Sequence, residues 1–133
     1  MRIVIDTNVL CSALFFGGYP AVILKSVIRQ ENQAIVTDEI LIEYHEIINR
    51  LKQKYGRQYD VKSASDFLAV VNHVNSKTKV EICRDPDDDK FLEAAIDGKA
   101  IYIVSGDQDL LSIKTYQDVE IVTPKEFIER YLG

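Results

Sequence analysis

Apolar positions along the chain follow two rhythms: short runs with little polar alternation, and longer stretches that recur every three to four residues. RIVI at 2–5, AIVT at 34–37, IYIVS at 101–105 and VEIVT at 119–123 are of the first kind. Such runs predict strands buried on both faces, hence a mainly parallel sheet. KVEIC at 79–83 is a weaker strand candidate. Between these runs the period is helical. Asp6 or Thr7 can cap a helix through NVLCSALF that Gly17-Gly18 stops, and Pro20 suits the start of a helix over AVILKSVIRQ. Ile40, Leu41, Tyr44, Ile47, Ile48 and Leu51 predict a helix behind a cap at Asp38. Val61, Ala64, Phe67, Leu68, Val71 and Val74 predict another across 60–75. KFLEAAID ahead of Gly98, a short segment from Asp107 to Ser112, and KEFIERYLG after Pro124 complete the set. Strands alternating with helices predict one α/β domain over 1–133, a central sheet flanked by helices on both faces.

Composition agrees with this reading and removes some alternatives. The chain has 133 residues, 47% hydrophobic and 28% charged, which suits one folded domain rather than a disordered chain. Its apolar runs are too short to span a bilayer, and Asp6 interrupts what would be the apolar core of a leader, so a cytoplasmic location is expected. Cys11 and Cys83 fit neither a zinc spacing nor a disulfide framework and read as two small buried residues. A net charge of −5 argues against a protein that coats nucleic acid through a basic surface. It does not argue against an enzyme whose acids are neutralised by cations. Arg50, Lys52, Lys54 and Arg57 cluster in NRLKQKYGRQY with Tyr55 and Tyr59 interleaved. That composition serves either as a solvated helix end or to hold an RNA backbone and stack a base.

The acids are the informative residues. In parallel sheets the loops at the carboxyl ends of the strands form the functional crevice. Asp6 follows RIVI, Asp38 follows AIVT, the cluster Asp85, Asp87, Asp88 and Asp89 follows KVEIC, and Asp107 follows IYIVS. Any one of them can cap the next helix. Several together would crowd uncompensated carboxylates, an arrangement that a hard divalent cation such as Mg²⁺ or Mn²⁺ relieves. With His45 and His73 the only histidines and no Cys/His pairing, zinc is disfavoured. Carboxylate-held Mg²⁺ pairs with phosphate oxygens, so phosphodiester hydrolysis is the chemistry indicated. Neither GxxxxGK[ST] nor GxSxG is present. Glu43 lies at the edge of its helix's apolar stripe, as does Glu39, while Glu46 reads as solvated. Helical phase sets Asp88 on the inward face with Phe91, Leu92 and Ala95, and Asp89 with Glu93 on a solvent stripe. Asp85 and Asp87 read as turn or capping residues around Pro86, and Asp109 as either a cap or a supporting ligand.

Four stretches taken in order, VIDTNVL, TDEILIEYHEIINRL, RDPDDDKFLEAA and YIVSGDQDLL, resemble the acidic motifs of the PIN-domain nucleases. The resemblance continues through IVTPKEFIERYL, and its nearest branch is the prokaryotic toxin type related to the VapC ribonucleases of toxin–antitoxin modules. It implies an α/β fold and a Mg²⁺- or Mn²⁺-dependent endoribonuclease. It also implies a homodimer and, in a toxin, neutralisation by a small antitoxin protein. It assigns Asp6, Glu43, Asp107 and one member of the cluster to the metal. The usual family separation from Asp107 fits Asp89 slightly better than Asp88. Asn8 and Ser105 would support the ion's water shell or the substrate phosphate. Two further readings stand beside it. One is a catalytically inactive PIN-like module that binds RNA or a protein. The other is a phosphatase of the haloacid-dehalogenase type, nucleophilic through Asp6, which wants a second aspartate where this chain has Asn8.

Overall fold

In the computed structural model, which describes residues 1–56 and 58–132, the first apolar run forms strand β1, Arg2–Ile5. Ile3 and Val4 point to opposite faces of the sheet, yet both are fully buried, so helices cover both faces. β1 pairs in parallel with β2 (Gln33–Val36) on one side and with β4 (Tyr102–Val104) on the other. β3 (Asn72–His73) adds in parallel to β2, and β6 (Val119–Val122) to β4. β5 (Thr115–Tyr116) closes the far edge antiparallel to β6, giving the order β3-β2-β1-β4-β6-β5. The helices are α1 (Thr7–Phe15), α2 (Gly18–Ile28), α3 (Asp38–Tyr55), α4 (Val61–Val70), α5 (Asp89–Asp97), α6 (Gln108–Leu111) and α7 (Pro124–Leu132). A 3₁₀ turn at Pro86–Asp88 leads into α5. The axes of α1 and α2 differ by 100°, and Gly17 takes the bend at φ 82°, a conformation that disfavours any side chain. No single helix among the described residues is long and apolar enough to cross a membrane.

Several elements depart from the sequence pattern. Helix α3 is capped by Thr37, whose Oγ1 accepts the Ile40 N–H at 3.4 Å, and Asp38 is its first helical residue rather than the cap. Helix α4 stops at Val70 instead of continuing to 75, because Val71 turns extended (φ −61°, ψ 147°) and feeds β3. β3 and β5, of two residues each, are too short to leave a periodic signal.

The largest departure lies at 79–83. KVEIC is not a strand, because its backbone is paired to side chains rather than to the sheet. Glu93 Oε2 accepts the Val80 N–H at 2.9 Å, and Asp89 Oδ1 accepts those of Cys83 at 2.9 Å and Ile82 at 3.4 Å. One turn further on, Asp97 accepts the N–H groups of Lys77 at 2.6 Å and Thr78 at 3.0 Å. A spacing of four residues aligns these three carboxylates on one face of α5. They hold residues 77–83 as an extended strap along the helix. The Asp89/Glu93 stripe expected in solvent is therefore buried, each residue 7% exposed. The other end of α5 also presses closely on the sheet: a Cβ at Gly98 would lie 2.3 Å from Ile35 Cγ2. Below the crevice, fully buried Tyr44 donates its hydroxyl hydrogen to the Ile5 carbonyl and ties α3 to the end of β1.

Candidate active site

From β1 the chain winds outward to β3, then restarts on the other side of β1 at β4. The carboxyl ends of β1 and β4 therefore part at the topological switch point, where open α/β sheets form their binding crevice. Asp6 leaves β1 there and Asp107 follows β4. The Asp6 N–H donates to the Val104 carbonyl at 3.0 Å, which joins the two strand ends. Asp6 is 5% exposed. Its Oδ1 accepts the Asn8 N–H at 3.3 Å, capping α1, and its Oδ2 accepts from Ser105 Oγ at 2.7 Å. The same fully buried Ser105 Oγ accepts the Asp107 N–H at 2.9 Å, so one hydroxyl sets the spacing of both acids. Asp107 Oδ1 in turn accepts the Asp109 N–H at 3.0 Å, capping α6. Capping takes only Oδ1 of Asp107, whereas both Asp6 oxygens already accept; capping and a site role are compatible because each carboxylate oxygen that accepts one bond keeps a second lone pair.

Burial raises the Asp6 carboxyl above the usual range. The bonds from Ser105 and Asn8 oppose that rise, and the charges of Asp107 and Glu43 add to it. Asp88 ends the 3₁₀ turn, half-buried, with no capping bond of its own. Burial pushes its carboxyl up to about 7, followed by its hydrogen bond to Asp107 and the charges of Asp107, Asp85 and Asp6. A cavity of about 300 Å³ opens between these acids, with Glu43 of α3 on its wall and Arg50 at its rim.

Glu43 is not free. Its Oε2 accepts from the Thr7 hydroxyl and its Oε1 from Lys90 Nζ at 2.7 Å. Lys90, with a side chain 5% exposed, also reaches Asp87 Oδ2 at 2.9 Å. Burial pulls its ammonium down, but the hydrogen bonds to Glu43 and Asp87 outweigh this and hold it above its ordinary value. Sequence reasoning missed both Thr7 and Lys90 as site residues. The Asp87–Lys90 spacing of three was legible as a helical pair. The contact with Glu43, 47 positions away, was not.

Of the remaining candidates, Asp85 and Asn8 line the same cavity and the others lie away from it. Asp89 turns away from the cavity to hold the strap, and Asp85 Oδ1 caps the 3₁₀ turn through the Asp87 N–H at 3.0 Å. Asn8 stands exposed between the acid cavity and a neighbouring one, and Asp109 lines only the latter, 3.9 Å from Arg84 Nη1. Asp38 lies at the β3 edge, 2.5 Å from His73 Nε2. Lys52 and Lys54 are exposed in the last turn of α3, and Arg57 lies outside the described residues. The tyrosines between them are not offered to bases: Tyr59 is 5% exposed, and the Tyr55 ring packs on Phe15 at 4.7 Å between centroids. Cys11 and Cys83 are free and half-buried.

Among the described residues no three acidic, histidine or cysteine side chains converge tightly enough to enclose an ion as they stand. Their donor chemistry nevertheless fits a hard divalent cation. Asp6, Asp88 and Asp107 offer oxygen alone, have no cationic partner among the described residues, and are close enough to hinder one another's ionisation.

A sequence profile of the PIN domain matches residues 2–109, and the chain belongs to the PIN-domain family, whose members are generally nucleases. It is 33% identical over 143 aligned positions to an uncharacterized protein of Methanocaldococcus jannaschii, covering 98% of this chain and 92% of that relative. In fold it is similar to a chain of VapBC2 from Rickettsia felis, solved bound to a DNA fragment from their promoter. That match has a TM-score of 0.61 at 15% identity, over 91% of this chain and 97% of the other.

Proposed function

We propose that the protein is a divalent-metal-dependent endoribonuclease that hydrolyses RNA phosphodiester bonds and acts as the toxin of a toxin–antitoxin pair. One observation carries this reading: Asp6, Asp88 and Asp107, from three separate parts of the chain, line one cavity at the switch point of a PIN-family sheet, with no cationic partner among the described residues. These three would hold Mg²⁺ or Mn²⁺. Asp89, engaged by the strap, would not. The family resemblance places Glu43 among the ligands too, although here its oxygens serve Thr7 and Lys90. When bound, such an ion supplies charge that offsets that of the phosphate and favours ionisation of an attacking water.

The chain's own groups do the positioning. Ser105 fixes Asp6 relative to Asp107, and Tyr44 anchors the end of β1 from which Asp6 projects. Asn8, exposed at the lip, presents an amide that can donate to a non-bridging phosphate oxygen. Arg50 at the rim presents a guanidinium suited to the next phosphate of the strand. The fold neighbour VapBC2 supports a small antitoxin as the protein partner. A homodimer and a cytoplasmic location belong to the same proposal.

The test is incubation with a mixed set of labelled RNAs in Mg²⁺, in Mn²⁺ and in EDTA, beside an Asp107→Asn control. Cleavage is expected with either ion and absent with EDTA or in the variant; folded, ion-loaded protein that cuts none of the RNAs refutes the reading. Engagement of both Glu43 oxygens favours a second reading, an inactive module, which would bind RNA or a protein in the same experiment without cutting.

A further inference from the structure

Beside the exposed Glu46 and Asp85, the other five acids that line the crevice fall into two groups with different charge balance. Asp6, Asp88 and Asp107 face one another with no cationic partner among the described residues. Glu43 and Asp87 are bridged by Lys90, whose Nζ lies 2.7 Å from one and 2.9 Å from the other. This lysine is built into the wall. Its side chain is 5% exposed, its Nζ lies 5.4 Å from the Phe91 ring centroid, and it sits beside Asp89, which is locked to the strap. Thr7 takes the remaining Glu43 oxygen. A second divalent ion at the Glu43 wall would meet a like charge, the Lys90 ammonium, already at hydrogen-bond range of that carboxylate.

We propose that Lys90 occupies the place of a second cation, so that the crevice takes a single divalent ion, held by Asp6, Asp88 and Asp107. The inference rests on the metal-dependent reading above and specifies its stoichiometry. A tethered ammonium offsets one of the two negative charges of the Glu43–Asp87 wall whether or not an ion is bound opposite. That wall therefore stays assembled while the ion exchanges, and chelation removes charge from one side only. A buried lysine between two acids can also be a plain structural ion pair. Such a pair would change stability when broken, but not the number of ions bound.

The experiment counts Mn²⁺ bound to the metal-free full chain, by titration calorimetry and by the electron paramagnetic resonance signal of free Mn²⁺. The wild type is expected to bind one ion. Lys90→Met, which removes the charge at similar length, is expected to bind two, and Lys90→Arg one; circular dichroism checks that each variant is folded. Two ions in the wild type, or one in folded Lys90→Met, overturns the proposal. Glu43→Gln keeps the question open to refutation should Lys90→Met not fold: it is expected to retain the single ion, and loss of that ion overturns the assignment. A wild type that binds no ion overturns the metal-dependent reading itself, an outcome distinct from a wrong count.

Discussion

Asp88 and Asp89 are adjacent, but their removal should move stability in opposite directions. Asp89, 7% exposed, accepts the Cys83 N–H at 2.9 Å and the Ile82 N–H at 3.4 Å from the first turn of α5. In Asp89→Ala those donors lose a charged acceptor. One good bond of this kind contributes about 1.5–3 kcal/mol, and the helix-terminus charge a few tenths more. A loss of about 2–3 kcal/mol follows. At an unfolding entropy of about 2.1 cal/mol/K per residue, this chain's Tm should fall by about 7–11 °C. Asp88→Ala instead removes a carboxyl that the fold makes hard to ionise, raised from 3.8 to about 7. Taken whole, that shift corresponds to about 4 kcal/mol. Asp88 is only half-buried, so solvent screening reduces it to about 1–2 kcal/mol.

The sign follows from linkage. The folded chain holds the Asp88 proton more tightly than the unfolded chain does, so the destabilisation is absent below about pH 4 and complete above about pH 7. Thermal melts in EDTA should therefore show Asp88→Ala about 4–7 °C above wild type at pH 8, with the difference vanishing near pH 4. Asp88→Ala should abolish RNA cleavage, whereas Asp89→Ala should retain it in proportion to its folded fraction. If Asp88→Ala melts below wild type at pH 8, or Asp89→Ala loses cleavage while keeping wild-type stability, the roles of the two aspartates have been exchanged.

Three further outcomes test the packing around the site. Gly98→Ala would drive its methyl into Ile35 of β2, with 2.3 Å available, and should destabilise by about 1–3 kcal/mol in urea unfolding; an unchanged midpoint would contradict the close packing of α5 on the sheet. Burial opposes ionisation of Asp97, but hydrogen bonds from Thr78 and the Lys77 backbone outweigh it and hold the carboxyl below 3.8. Its contribution is present above the unfolded pKa and is lost as pH falls through the folded one. Amide exchange at Lys77 and Thr78 should thus be protected at pH 6 and released near pH 2, and protection at both would exclude Asp97 as the clasp. Burial, then the hydrogen bond and charge of Asp89, pushes the Cys83 thiol up to about 12. Alkylation of Cys83 at pH 8 should be slow in wild type and faster in Asp89→Ala; equal rates would remove the carboxylate from that account.

By itself the sequence determined the framework. Apolar runs at 2–5, 34–37, 101–105 and 119–123 became β1, β2, β4 and β6, because a strand buried on both faces tolerates no polar alternation. The same alternation of elements placed Asp6 and Asp107 each after a strand, and four motifs in order pointed to the PIN family; that the two strands are neighbours came from the structure. The division of labour among the other acids was decided only in three dimensions. Helical phase places Asp89 and Glu93 on a common face, but does not say that a strap lies on that face and turns it into an interior one. Nor does it set Lys90 against Glu43, a contact between α5 and α3 that exists because both helices approach the end of β1. Local periodicity reports which residues share a side of an element. What that side meets depends on packing between distant segments, and there a carboxylate becomes a cap, a clasp for backbone N–H groups or a member of the crevice.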